Sequence, residues 1–334
     1  ICHGQSAYSA NFVPYGALKN VAYRRGGAVT DAIHPSANTH GIRMGQAAMG
    51  STLATNANTY CLDFDGTADY LAHKSSKFYP TDTQGTVVIW FYKEDSDSAQ
   101  LFAAGGADSS GGDNYNVRFS VEADEKLQME HISNGTAASD VKSSTALTMD
   151  QWNCVAIQSN GTAYSFYING SSDSVAGSPD NGNWFGDIGG SYTFYRLSIG
   201  AFSYNAGTIH SSGSLDGKIM QVAYYGGSSG TTGVLSSDAM SAINSAGKGH
   251  DLTTASGNYT ATEIAALKGY WRMGNHYLDT AETIHDASGY GTDMHQVSNP
   301  SAVTWTTGAA FLTNWQDRGF FTGDKYTSLL IQSS

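Results

Sequence analysis

The chain has 334 residues and a formal net charge of −12, and only 14% of its residues are charged. Because nucleic-acid affinity rests on clustered Lys and Arg side chains, this acidic balance argues against a nucleic-acid partner, and no apolar run approaches the roughly 20 residues that a membrane-spanning helix needs. The first residues show no signal-peptide pattern, and the many Gly, Tyr, Ser and Thr residues are typical of a β-rich fold.

Residues 1–58 show no sustained strand or helix period, because Gly, Ala, Asn and Pro interrupt short apolar pieces. This pattern predicts an extended N-terminal arm with a few short strands. The arm contains the concentrated basic spot of the chain, at Arg24 and Arg25. We expect the arm either to pack on its own domain or to dock on a neighbouring subunit.

A succession of strands begins near Tyr60. Leu62 and Phe64 alternate with two aspartates, and Asp65–Gly66 predicts a tight turn. In the segment 87–92 both alternating sets of side chains are apolar. A strand that is buried on both faces belongs in the middle of a layered sandwich.

Short strands with turn residues between them continue along the chain. Asn160–Gly161 predicts a two-residue hairpin turn. Helices are predicted at 236–246, with Ser236 as N-cap, and at 260–267, with a Thr260–Glu263 capping box. The further predicted strands are 100–104, 115–121, 127–131, 152–158, 163–168, 194–201 and 218–225, with closing strands from Tyr270 onward. So many short strands indicate an antiparallel sandwich.

The last part of the chain, after about Trp305, is aromatic and apolar. An apolar segment of this kind should be buried against other protein surface. Residues 306–334 are therefore predicted to form a C-terminal tail that packs on the domain or on a neighbouring subunit.

The three cysteines do not form a dense, even set, so no disulfide framework is indicated. Cys61 and Cys154 both fall in predicted strands. Two interpretations stay open for them, a single bridge or two small apolar core residues.

Six sequence elements occur in an order and spacing that resemble the laminin-G-like, concanavalin-A-like lectin domains. They cover roughly residues 59–300. The elements are Phe64-Asp65-Gly66 with Asp69-Tyr70, then Trp90, Trp152 with Val155 and Ala156, Tyr167 with Asn169 and Gly170, Asp216-Gly217 with Ile219, and Leu235-Ser236.

The resemblance implies an all-β fold, a two-sheet antiparallel jelly-roll sandwich with one or two short helices, over residues 59–305. The strand pattern leads to the same architecture. Such folds carry lectins, adhesion modules, hydrolases and capsid-associated parts, so the fold alone does not assign a function. The late pairing of YWRMG with a D-x-S-G-x-G segment is similar to that of structural proteins encoded by aquatic phages.

Glycoside hydrolysis needs two carboxylates on either side of the scissile bond. The nearest stretch to a retaining glucanase motif is Glu122-Ala123-Asp124, but Lys126 and Leu127 stand where the second glutamate should be. We therefore interpret Glu122 and Asp124 as a solvated hairpin end. We expect the protein to have no enzymatic activity. The sequence does not support a zinc site, because its His and Cys residues do not occur at the spacings typical of zinc ligands.

Calcium takes six to eight oxygen ligands. The loop from Asp286 to Asp293 offers two carboxylates and several carbonyls on a Gly-flexed turn, and Asp69 approaches it if the first and last strands pair. Asp69, Asp286 and Asp293 are therefore candidate Ca²⁺ ligands. The alternative is that these aspartates accept hydrogen bonds from turn amides.

Glycan binding combines aromatic side chains that stack on sugar rings with Asn and Asp side chains that hold hydroxyls. The loop around Trp184 has this composition, with Asn181 and Asn183, and Tyr204 lies in another loop. These four residues are the candidate carbohydrate site. A Trp that caps the sandwich edge is the alternative for Trp184.

The sequence favours a non-catalytic structural or adhesive protein of a virion, such as a phage capsid decoration or a tail or fibre component, or of another extracellular assembly. Apolar, weakly charged ends favour homo-oligomers or other structural proteins of the assembly as partners. The alternatives are a calcium-assisted lectin module that binds cell-surface glycans, and a glycoside hydrolase of the same fold.

Overall fold

The computed structural model describes residues 60–297, except 68, 76–80, 107–114, 189–194, 205–207, 210–212, 248, 277 and 281–282. The predicted arm and the predicted tail lie outside the described residues. For residues 74, 75, 106, 195, 203, 204, 208, 209 and 297 the backbone alone is described.

Antiparallel strands make up half of the described residues. In chain order they are β1 (Leu62–Asp65), β2 (Tyr70–Ser75), β3 (Gln84–Lys93), β4 (Ala99–Gly106), β5 (Tyr115–Val121), β6 (Lys126–Ser133), β7 (Thr136–Ala146), β8 (Asn153–Ser159), β9 (Tyr164–Ile168), β10 (Ser171–Asp173), β11 (Val175–Gly177), β12 (Tyr195–Ile199), β13 (Ser203–Tyr204), β14 (Thr208–Ile209), β15 (Asp216–Gly227), β16 (Leu267–Trp271), β17 (Thr283–Ile284) and β18 (Met294–Val297). The helices are α1 (Ser237–Ala246) and α2 (Ala261–Ile264).

The strands form two large sheets. The seven-stranded sheet has the order β1-β15-β3-β8-β9-β10, and β16 pairs with β15 as well. The nine-stranded sheet has the order β11-β7-β6-β5-β4-β12-β2-β18-β17. Strands β13 and β14 form a separate hairpin. This arrangement confirms the predicted two-sheet antiparallel jelly-roll sandwich.

Strand β3 lies in the middle of the seven-stranded sheet and is buried on both faces, as its sequence predicts. Val87, Ile89 and Phe91 belong to the core between the two sheets. Val88 and Trp90 belong to a second core on the opposite face. The alternation of strand side chains therefore divides β3 between two hydrophobic cores.

The second core lies between the seven-stranded sheet and helix α1, which contributes Ala239, Met240 and Ile243. The helix begins where the sequence predicts, because the Ser236 hydroxyl accepts a hydrogen bond from the amide of Ala239 at 3.1 Å. It ends before Gly247, whose φ is 82°. One face of the seven-stranded sheet is thus covered by apolar protein.

The structure differs from the prediction at helix α2, at the β8–β9 hairpin and at strand β7. Helix α2 has the predicted Thr260 cap but ends at Ile264, and Leu267 already begins β16. The β8–β9 hairpin has a four-residue loop rather than a two-residue turn, because the Asn160 side-chain oxygen accepts from the amides of Thr162 and Ala163. Strand β7 was not predicted, since its sequence TAASDVKSSTA is mostly small and polar.

The open disulfide alternative is excluded by the strand order. Cys61 precedes β1 and Cys154 lies on β8, so β15 and β3 separate them. Three strand spacings amount to about 14 Å, whereas a disulfide requires Cα atoms within about 7 Å. Cys154 is a free cysteine. Within the described residues, no helix has the length and apolar character that crossing a membrane requires.

Candidate functional site

The outer face of the nine-stranded sheet carries two rows of polar side chains across three neighbouring strands. Each row has one residue on β5, one on β6 and one on β7 in matching register. All but Ser120 are half-buried, and Ser120 is buried. We call this set the polar strip; it consists of Arg118, Ser120, Gln128, Glu130, Asp140 and Lys142.

The first row is built around Arg118. Its guanidinium forms an ion pair with Glu130, and the side chains of these two residues are 14% and 22% exposed. The other side of the guanidinium lies over the Phe202 ring, 5.3 Å from the ring centroid. Phe202 itself fills the space above Gly105, where a Cβ atom would lie 2.7 Å from the ring. Arg118 is thus held in place from two sides.

The second row is linked to the first by an amide hydrogen bond and to the neighbouring hairpin loop by a hydroxyl hydrogen bond. Gln128 Nε2 donates to Asp140 Oδ1 at 2.7 Å, and the Ser120 hydroxyl donates to Glu122 Oε1 at 3.0 Å. Burial, together with repulsion from Asp140 and Glu122, raises the pKa of the Glu130 carboxyl, although Arg118 acts in the opposite direction. The strip therefore offers carboxylate acceptors and amide donors at fixed strand spacings.

One buried polar atom of the strip and one beside it have no hydrogen-bond partner among the described residues. They are Oε1 of Gln100, which lies opposite Ser120, and Nε of Arg118. Buried polar atoms are nearly always paired, so these two mark a place where the described residues do not complete the hydrogen bonding.

The predicted sugar-stacking residue, Trp184, is fully buried. Its ring belongs to the core between the sheets and stacks on Tyr224, with the centroids 6.3 Å apart and an interplanar angle of 16°. Its Nε1 donates to the Tyr224 hydroxyl at 3.2 Å. The prediction that Trp184 faces a ligand is corrected, since an indole in this position is part of the core.

Asn181 and Asn183 use their side chains to hold their own loop. Asn181 Oδ1 accepts from the Ser139 hydroxyl and Nδ2 donates to the carbonyl of Ala138 at 2.8 Å. Asn183 Nδ2 lies 3.0 Å from His131 Nδ1, and burial lowers the pKa of His131. These side-chain amides stabilise the loop rather than bind a sugar. Tyr204 lies on β13, and its side chain is outside the described part of the structure.

The carboxyl groups of the predicted calcium loop accept hydrogen bonds from backbone amides. Asp286 is 1% exposed and accepts from the amides of Tyr270, Ser288 and Thr292 at 2.9–3.0 Å. Asp293 Oδ1 accepts from the amide of Asp286 at 2.8 Å and lies 3.1 Å from His285 Nδ1. This geometry matches the alternative interpretation, in which the aspartates accept hydrogen bonds from turn amides.

Asp69 does not join that loop. Strand β2 pairs with the last strand, β18, but the pairing is antiparallel, with Tyr70 opposite Val297 and Ala72 opposite His295. Asp69 and Asp293 therefore lie at opposite ends of the pair, about 16 Å apart along the strand direction. Within the described ranges, no group of three or more His, Cys, Asp or Glu side chains could hold a metal ion.

Glu122 and Asp124 lie in the β5–β6 hairpin loop, as predicted. The amide of Glu125 donates to the Glu122 carbonyl at 2.8 Å and closes the turn. The Glu122 carboxylate accepts from Ser120 and, at 3.4 Å, from Ser98. Asp124 lies 3.7 Å from Lys142 and is half exposed.

Sequence reasoning missed the polar strip. The signal was present in β5 and β6, where polar residues alternate with the core residues Val117, Phe119, Leu127 and Met129. It was absent in β7, which was not recognised as a strand. Asp140 and Lys142 could therefore not be placed beside their neighbours.

Residues 65–230 match a family model described as the concanavalin A-like lectin/glucanases superfamily. The matched range contains the whole polar strip. The resemblance drawn from the six sequence elements is confirmed, and this part of the chain is a laminin-G-like, lectin-like domain of the concanavalin A-like class. No curated protein matches the chain.

Several solved structures are similar to this chain. A carbohydrate-binding module, CBM40 of the Ruminococcus gnavus IT-sialidase bound to alpha2,3 sialyllactose, is 16% identical with a TM-score of 0.44, covering 56% of this chain and 97% of that one. A heptameric SAP-like pentraxin from Limulus polyphemus is 14% identical with a TM-score of 0.41, covering 72% and 94%. A putative carbohydrate binding protein from Bacteroides ovatus is 13% identical with a TM-score of 0.46, covering 72% and 58%.

Proposed function

We propose that this domain is a non-catalytic, lectin-like module that binds glycans on the polar strip. The observation that carries the proposal is the contrast between the two sheets. The outer face of the seven-stranded sheet is apolar and covered by α1, whereas the nine-stranded sheet presents half-buried polar side chains in matching register on three strands. The membership of the domain in a superfamily that contains lectins supports it.

The chemistry of the strip suits sugar hydroxyls. A hydroxyl donates to one group and accepts from another, and the strip places the carboxylates of Glu130 and Asp140 beside the amide of Gln128. Strand residues hold such groups more rigidly than loop residues do. Partial burial reduces competition from water, which strengthens each polar contact.

The absence of catalysis is part of the proposal. Hydrolysis would need one carboxyl group as acid and a second as nucleophile or base facing the same bond. In the strip, Glu130 is ion-paired with Arg118 and Asp140 accepts from Gln128, so both carboxylates have structural partners. Polysaccharides that bind the protein should release no reducing sugars on prolonged incubation, and hydrolysis that is lost on Glu122→Gln or Glu130→Gln would contradict this point.

We also propose that the whole chain acts in adhesion within an extracellular assembly or a virion, as a homo-oligomer. The apolar, weakly charged sequences of the arm and tail support this role. Sedimentation velocity at micromolar concentration tests it, and a purely monomeric species would argue against it. Calcium assistance is tested by repeating the glycan-binding measurement with Ca²⁺ and with a chelator.

Glycan binding is tested with the full chain on a printed array of neutral and anionic glycans, followed by calorimetric titration of the best ligand. Gln128→Ala should weaken binding about tenfold, since it removes an amide that bridges the two rows. Gln151→Ala is the matched control, because Gln151 is an exposed glutamine outside the strip. If the two variants bind the glycan with equal affinity, the polar strip is not the glycan-binding site.

A further inference from the structure

Arg196 is a buried arginine on the outer face of the nine-stranded sheet. It belongs to β12 and is 5% exposed. Leu197 and Ile199 on the same strand belong to the core between the two sheets. Because successive side chains of a strand point to opposite faces, Arg196 points to the outer face, which also carries the polar strip.

Arg196 differs from the other buried cations of the domain. Among the described side chains, three lysines or arginines are buried. Lys93 pairs with Asp95 at 2.8 Å, and Arg272 pairs with Asp251 at 2.8 Å. Arg196 is the third, and no described residue forms a hydrogen bond or an ion pair with it. A buried charge without a counter-ion is costly, so this arginine lacks a group that the other two have.

The strand register explains why Arg196 has no counter-ion. Residues that lie directly opposite each other on neighbouring strands form the cross-strand ion pairs of a sheet, as Arg118 and Glu130 do. The residues opposite Arg196 are Gly105 on β4 and Lys74 on β2. A glycine has no side chain and a lysine carries the same charge, so neither position supplies a carboxylate.

The carboxylates of the polar strip are separated from Arg196 by an aromatic ring. Phe202 lies over Gly105 and against the guanidinium of Arg118. Since β4 lies between β12 and β5, the ring stands between Arg196 and the strip. Burial lowers the pKa of Arg196, and Tyr70 acts in the opposite direction. A phenol is uncharged near neutral pH, so Tyr70 does not neutralise the guanidinium.

The guanidinium of Arg196 reaches the surface, although most of the side chain is buried. Nε of Arg118 is one of the fully buried polar atoms without a partner, whereas none of the nitrogens of Arg196 is. Since these nitrogens have no partner among the described residues either, the remaining exposure of Arg196 includes its guanidinium. A guanidinium presents paired N–H donors that match two oxygens of a carboxylate, sulfate or phosphate group.

We infer that Arg196 binds an oxyanion, namely a carboxylate, sulfate or phosphate group, on the outer face of the nine-stranded sheet. The group comes from solution as a small anion or is carried by an acidic sugar. It supplies the counter-ion that the strand register leaves out. This inference goes beyond the proposed glycan binding and does not depend on it, because an inorganic anion alone tests it.

The test is thermal unfolding of the full chain at constant ionic strength. Sodium chloride is the reference, and sodium sulfate, sodium acetate or sodium glucuronate replaces it in separate series. The wild-type melting temperature should rise by about 2–4 °C once the oxyanion exceeds its dissociation constant several-fold. Glucose is the uncharged counterpart of glucuronate and should have no such effect.

Three variants identify the group that binds the anion. Arg196→Met keeps an apolar stem and removes the unpaired charge, so it should melt at or above the wild-type temperature in chloride and lose the gain. Arg196→Lys keeps the charge without the paired donors and should show a smaller gain. Lys142→Met is the control, because Lys142 is a cation of the same sheet that lies 3.7 Å from Asp124, and it should keep the full gain.

A gain that Arg196→Met loses and Lys142→Met keeps supports the site. If sulfate and acetate both give it, the site takes free oxyanions; if glucuronate alone gives it, the oxyanion is carried by an acidic sugar. An equal gain in all variants is the general effect of salts on folding and overturns the site, as does the absence of any gain.

The stability of Arg196→Met in chloride is an independent check. If circular dichroism shows the variant unfolded, or if it melts clearly below the wild type, the chain itself supplies the counter-ion and the site is overturned. Failure of the glycan proposal is recognised separately, because Gln128→Ala tests the polar strip and leaves the sulfate and acetate series unchanged.

Discussion

The imidazole ring of His276 stacks on that of His285, with the ring planes 24° apart. Burial, followed by the proximity of His285 and of the Arg272 guanidinium, lowers the pKa of His276 from 6.5 to about 4, although Asp251 and Asp293 act in the opposite direction. The folded protein therefore keeps His276 neutral at pH values at which the unfolded chain protonates it.

His276 should make the domain less stable in mild acid. Its depressed pKa contributes stability that is complete above the ordinary value of 6.5 and is lost as the pH falls toward about 4. His276→Asn, which keeps an acceptor for the amide of Leu278, should flatten this dependence. Urea unfolding at pH 5 and pH 7.5 measures it, with His250→Asn as the control histidine. The same pH slope in wild type and His276→Asn would refute the assignment.

Asp69 should have the opposite effect. It is 4% exposed, its Oδ2 has no partner among the described residues, and burial with repulsion from Asp65 and Asp63 raises its pKa from 3.8 to about 7. The folded state then binds the proton more tightly, so stability is highest below about pH 4 and falls as the pH rises toward about 7.

Asp69→Asn removes the ionisable group while keeping its shape. Its stability relative to the wild type should increase as the pH rises from 4 to 7, reaching at least about 1 kcal/mol at pH 8. Urea unfolding across this range measures the difference. Asp238→Asn, an exposed aspartate on α1, is the control. A variant that is less stable than the wild type at pH 8 would show that the Asp69 carboxylate is ionised and bound there.

Trp184 should affect stability and not glycan binding. Its Nε1 donates to the hydroxyl of Tyr224, which donates to Asp82 at 3.1 Å, and Asp82 also binds Lys268 at 2.5 Å. Tyr224→Phe leaves the indole N–H and one carboxylate oxygen less well paired, so it should cost about 1–3 kcal/mol of unfolding free energy. Thermal denaturation and the glycan titration test this together. If Tyr224→Phe lowers the ligand affinity without lowering the stability, the assignment of Trp184 to the core rather than to the binding site is contradicted.

The architecture could be predicted because its determinants are local. The double apolar alternation of 87–92 placed β3 between two cores, and the Ser236 and Thr260 caps located both helices. Strand β7 was missed because two of its three buried residues, Ser139 and Ser143, are small and polar, a residue type that is equally common in loops.

The sites could not be predicted because they depend on long-range placement. A loop such as 180–185 has the same composition whether its tryptophan turns inward or outward, and the 3₁₀ turn at Phe185–Asp187 carries Trp184 inward. The antiparallel register of β2 and β18 separates Asp69 from Asp293, although the two strands pair.

Cys154 should be inert in the folded protein. Its side chain is 1% exposed, and burial raises the pKa of its thiol, so the reactive thiolate is disfavoured. Cys61 is half-buried and serves as the internal reference. Alkylation with iodoacetamide followed by peptide mass spectrometry should modify Cys61 in the native state and Cys154 only after unfolding. Since the two thiols are three strands apart, a reducing agent should leave their peptides and the melting temperature unchanged. A Cys61–Cys154 peptide in the unreduced digest would contradict the strand order itself.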